Sequence, residues 1–71
     1  MFKYPVIIEK AQGNFSAYSP DLPGCVATGS TTEETLDRMK EAIRFHIEGL
    51  KKAGVSIPEP STEVEYIEIT M

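Results

Sequence analysis

The sequence predicts an α/β (α+β) two-layer sandwich in the order β-β-β-α-β, with one helix laid on one face of a mixed four-stranded sheet. Three observations predict it. A single stretch, residues 30–53, repeats its apolar residues at the helical period. Three short segments before it and one after it are rich in β-branched and aromatic residues. Clusters of Gly, Pro, Asn and Asp separate those segments, as they do where strands turn.

The first segment, residues 2–9, alternates: Phe2, Tyr4, Val6 and Ile8 on one side, Lys3, Pro5, Ile7 and Glu9 on the other. Pro5 lacks a ladder donor and suits a strand start or an edge. Residues 10–14 make a turn in which Gly13 or Asn14 takes positive φ. Residues 15–19 complete an antiparallel hairpin. Pro20, Asp21, Leu22, Pro23 and Gly24 form a rigid turn, because each proline fixes φ and lacks a donor, with Leu22 as its apolar anchor. Residues 25–28 are a third short strand, and Gly29 leads into the helix.

Along the helix Leu36, Met39, Ile43, Ile47 and Leu50 share one face, with His46 and Ala53 at its border. Ser30 with Glu33, or Thr31 with Glu34, supplies a capping box. Gly54 is the stop signal, behind Lys51 and Lys52, which the helix dipole favours there. The spacings Glu34/Arg38, Asp37/Lys40 and Glu48/Lys52 allow surface pairs. Pro58 and Pro60 make residues 55–61 an extended connector. Residues 63–69 read as the last strand, Val64 and Tyr66 on one side, Ile67 and Ile69 on the other. A right-handed crossover sets that strand parallel to the first, in spatial order 3-2-1-4. Nothing covers the sheet's far face, where Ile7 and Tyr18 are candidates for exposure.

Seventy-one residues make one domain, of a size that is marginal alone and gains from a partner or a second copy. A hydrophobic fraction of 41% with 25% charged residues fits a folded chain. One cysteine cannot form an internal disulfide, which favours a reducing, cytoplasmic setting. No segment approaches the roughly 20 apolar residues that span a bilayer. The net charge of -4 sits at the end of the chain: residues 53–71 hold Glu59, Glu63, Glu65 and Glu68 and no base. Such a surface repels nucleic acid and attracts a basic protein.

Catalytic and metal constellations are thin. Cys25 and His46 are a cysteine and a histidine without an activating motif, and two scattered residues fall short of the roughly four ligands zinc takes. No glycine-rich phosphate loop and no basic stripe are present, so no cofactor is expected. Glu9, Asp21 and Glu34 are the acids a metal-dependent hydrolase would gather, although capping and turn formation also account for Glu34 and Asp21. Phe45 breaks the helix pattern. It points away from the apolar face, flanked by Ala42 and Gly49, as an aromatic does that seats against another surface.

The turn Pro20-Asp21-Leu22-Pro23-Gly24-Cys25 resembles that of the HicB-like antitoxin family. The resemblance runs from Tyr4-Pro5-Val6-Ile7-Ile8-Glu9 and Phe15-Ser16-Ala17-Tyr18 through residues 29–36, Lys40-Glu41-Ala42-Ile43 and Ile57-Pro58-Glu59-Pro60-Ser61. It implies a partly degraded ribonuclease H-like fold without enzymatic activity. It also implies neutralisation of a small basic ribonuclease toxin by masking its active surface. Full members often add a C-terminal DNA-binding domain; this chain ends at Met71, so residues 1–71 are expected to form a single domain without direct DNA binding. The expected contacts are Tyr18, Asp21, Phe45 and Tyr66, with Glu63, Glu65 and Glu68 steering the toxin. A homo-oligomer, dimer or higher, is expected. The alternative is a vestigial or weak metal-dependent RNA hydrolase.

Overall fold

The computed structural model describes residues 2–71. Three antiparallel strands, β1 (Ile7–Ala11), β2 (Asn14–Tyr18) and β3 (Val26–Gly29), form a sheet in the order β1-β2-β3, and α1 (Thr32–Lys52) lies against β2 and β3. Ile8, Ala17 and Ala27 stand opposite one another across the strands and face the helix. Ala17, Leu22, Cys25 and Met39 are the buried core, and Tyr4, Val6, Ile8, Ala27, Ala42 and Ile43 pack around it.

The meander and the long helix agree with the sequence. The first strand, however, starts at Ile7 rather than Phe2. The register pairs Ile7 with Tyr18, so two further steps would oppose Pro5 to Pro20, and neither has an N–H to give. The hairpin closes between Ala11 and Asn14. Gly13 carries the positive φ of +84° while Gln12 stays negative, the sign pattern of a type II turn.

The fourth strand is not formed, and the mixed sheet of order 3-2-1-4 is thereby overturned. After Gly54 the chain has no regular secondary structure. The residues do have strand chemistry, but a strand exists only beside another edge, and the path after Thr62 brings none alongside.

Both helix ends follow sequence signals. Thr31, not Ser30, is the N-cap: its Oγ1 accepts the Glu34 amide at 3.0 Å. Glu34 reaches one residue past the cap, its Oε1 accepting the Ser30 amide at 2.8 Å and the Ser30 hydroxyl at 3.1 Å. At the other end Gly54 (φ +69°) donates to the Lys51 carbonyl and Val55 to the Leu50 carbonyl, the two bonds of a Schellman motif. Among the described residues the pair Glu34–Arg38 forms, at 3.7 Å, and Glu41–Arg44 replaces the other two anticipated pairs.

The buried stripe is rotated from the anticipated one. Leu36 is 44% exposed, whereas Thr35 is fully buried beside Met39. The cause is the sheet's close approach at Gly29, where an added Cβ would sit 2.6 Å from Thr35 Oγ1 and 2.9 Å from its amide nitrogen. A small side chain is needed at that crossing, and the Thr35 hydroxyl satisfies itself by donating to the Thr31 carbonyl at 2.7 Å.

Candidate partner-binding surfaces

The turn after β2 is where the two ends of the chain meet. Leu22 is completely buried, its amide donating to the Ser19 carbonyl and its own carbonyl accepting from Cys25, both at 3.1 Å. Gly24 takes φ +83° to complete the turn. With Leu22 driven into the core, Asp21 is left facing the C-terminal segment. Its Oδ1 accepts the Ser61 amide at 3.2 Å, the Ser61 hydroxyl at 3.0 Å and the Thr62 hydroxyl at 3.0 Å. Burial pushes the Asp21 carboxyl up, but the bonds from Ser61 and Thr62 together outweigh it and hold the group below the usual range. Tyr4 ties the same segment, donating to the Pro58 carbonyl at 2.6 Å. Burial, then the nearby Asp21 charge, raises the Tyr4 hydroxyl above its usual value.

Asp21, proposed from sequence as a contact, is thus tied within the molecule. Glu34 is tied as well: the Ser30 amide, the Ser30 hydroxyl and then Arg38 lower its carboxyl. The structure does not gather Glu9, Asp21 and Glu34 into a site, and among the described residues no group of three or more His, Cys, Asp or Glu is placed to hold a metal.

The uncovered face of the sheet carries an apolar row. Ile7, Tyr18 and Val26 are direct cross-strand partners on the side opposite the helix, with Tyr18 41% and Val26 64% exposed. Val26 also borders an open groove of about 470 Å³ between the start of β3 and the second half of the helix, lined with Cys25, Ala42, Phe45, His46 and Leu50. Phe45 stands 80% exposed there, on the flank of the core stripe beside Ala42. Tyr18 and Phe45 therefore flank Val26 from two sides. Cys25 and His46 share the groove without a hydrogen bond between them among the described residues, and burial pushes the Cys25 thiol up, away from thiolate chemistry.

The remaining anticipated contacts, Glu63, Glu65, Tyr66 and Glu68, belong to an exposed C-terminal arm, residues 63–71. Val26 is absent from the contacts expected from sequence, yet it is exposed on this surface. The signal was its parity: it alternates with Cys25 and Ala27, which face inward.

Residues 4–70 match the family described as HicB-like antitoxin of bacterial toxin–antitoxin systems. A UPF0150 protein of Thermoplasma acidophilum is 47% identical over 62 residues, which are 86% of this chain and 90% of that one. An uncharacterised 14.9 kDa protein of Haemophilus phage HP1 is 39% identical over 64 residues, 90% of this chain but only 48% of the phage protein; the chain spans about half of that relative. Among solved structures, a chain of a HicA3 and HicB3 toxin–antitoxin complex superimposes with a TM-score of 0.71 at 35% identity, covering 84% of this chain and 70% of that one. The meander, the buried Leu22 turn and the helix that packs on them are the fold of a chain that belongs to the HicB-like antitoxin family of bacterial toxin–antitoxin systems.

Proposed function

We propose that this chain is a cytoplasmic antitoxin that neutralises a small basic ribonuclease toxin by covering its active surface. The observation that carries the reading is the likeness, at 35% identity, to a chain from a toxin–antitoxin complex. The surfaces support it. Tyr18, Val26 and Phe45 form the contiguous apolar anchor that a protein interface needs at its centre. Glu63, Glu65 and Glu68 on the arm, with no base beside them, attract a basic partner and speed its encounter.

The test is a search beside the gene for a chain of small basic type, followed by co-expression of the two. Growth should be restored, and the two proteins should purify together. Persistent growth arrest alongside abundant folded antitoxin, with no complex recovered, would overturn the reading.

A further inference from the structure

The C-terminal arm has the chemistry of a strand and the surroundings of none. Tyr66 is 93% exposed, Ile67 82%, Ile69 69%, and Met71 is fully exposed. Among the described residues no backbone group of residues 63–71 bonds another backbone group of the chain. The arm is nevertheless firmly rooted, by Tyr4 on Pro58 and by Asp21 on Ser61 and Thr62. With the arm included, the molecule as a whole is extended. Its radius of gyration is 13.8 Å, where a compact chain of this length has about 11 Å.

The surface area measures the same mismatch. A folded monomer of 7.9 kDa exposes about 4,400 Å²; this chain exposes 5774 Å². Two such surpluses exceed the roughly 1,600 Å² that a standard stable interface buries. The fold also offers an acceptor. The outer edge of β1 has no strand beside it among the described residues, while β3 is partly closed by Arg38, which donates to the Thr28 carbonyl at 3.0 Å.

We infer that residues 63–71 add as a strand to the outer edge of β1 in a second copy of this chain, reciprocally, forming a two-fold dimer by exchange of arms. Ile67, Ile69 and Met71 repeat every second residue, the period of Val6 and Ile8, which lie half-buried at the open border of the core. The arm of one copy completes the border of the other, and a two-fold axis makes both exchanges identical. Nothing in this inference requires a toxin, so its failure and that of the antitoxin reading are separable.

The experiment is the solution mass of the full chain alone, by light scattering behind size exclusion, at tens of micromolar. The expected result is twice the monomer mass, with Ile67→Asp/Ile69→Asp weakening the dimer at least about tenfold while the far-ultraviolet helical signal persists. An Ile69→Cys variant mixed with a Lys10→Cys variant should yield an oxidised dimer joined between arm and edge. A monomeric native chain overturns the inference, as does a dimer indifferent to the double substitution. A cross-link formed with Val26→Cys in place of Lys10→Cys overturns the assignment to β1. Assembly that appears only when a basic protein is added makes that protein the arm's occupant and likewise overturns it.

Discussion

Asp21 and Ser61 lie 40 residues apart in sequence, yet Ser61 gives both its amide and its hydroxyl to the same Asp21 oxygen, at 3.2 and 3.0 Å. This contact decides where the C-terminal arm leaves the body. It also makes the arm's root sensitive to pH. The Asp21 carboxyl is depressed in the folded chain, so as pH falls the unfolded chain takes up the proton first. The stabilisation is therefore present above the ordinary aspartate value of about 3.9 and is lost as pH falls through the lower folded value. Glu34, depressed by Ser30 and Arg38, acts in the same direction. Tyr4 closes the alkaline side: its raised hydroxyl keeps its contribution below about pH 10 and loses it as pH rises through the folded value. Thermal unfolding across pH should fall at both extremes, and Asp21→Asn should flatten the acid limb. An unchanged acid limb would show that the tie carries no stability.

Releasing the arm is a separate outcome. Asp21→Ala removes the acceptor of three hydrogen bonds. Amide exchange at Ser61 should accelerate strongly, while the β1–β2 amides, which depend on other bonds, keep their protection. Equal acceleration in both places would mean that the turn itself had been lost.

Gly29 tests the contact between sheet and helix. Its Cβ position lies 2.9 Å from the Thr35 backbone nitrogen, which cannot rotate away. Gly29→Ala should cost about 1–3 kcal/mol by overpacking, a large share of the stability of so small a domain. Denaturant titration reads it, and Gly49→Ala, with open space at that position, is the control that should lose nothing. The Thr31 cap makes the parallel case at the helix start: Thr31→Ala should cost about 0.5–2 kcal/mol.

These sites show what the sequence could reveal. The helix ends, the Gly13 turn and the burial of Leu22 were legible because each follows from local chemistry: a cap, a positive φ, one apolar side chain between two prolines. Thr35 was not, because its burial comes from Gly29 on another element, and a threonine in a helical pattern reads as polar. Leu36 was misplaced by the same contact. Residues 63–69 failed differently. Their pattern is a strand's, but a strand is a relation between two segments, and the second segment is not recoverable from period alone. Asp21 read as a local turn former, since nothing in the turn announces a partner 40 residues on. At the candidate site, Phe45 was visible as a break in periodicity, whereas Val26 required the strand's parity to be known.

The proposed binding surface yields the last prediction. Phe45 and Tyr18 are exposed aromatics on either side of Val26, one at the groove and one on the open sheet. Aromatic anchors at an interface centre typically cost 2 kcal/mol or more when truncated, about thirtyfold in affinity. Phe45→Ala should therefore weaken binding of the proposed toxin through dissociation alone, which quickens while association stays near its original rate. Replacing Glu63, Glu65 and Glu68 with Gln should do the reverse, because exposed charges act on the encounter and are screened by salt. Association should slow at low ionic strength and converge on that of the unaltered chain as salt rises. Binding kinetics of the two variants against the same toxin separate these effects. If Phe45→Ala left dissociation untouched, the groove would have to be removed from the interface, and Tyr18 with the open sheet face would carry it alone.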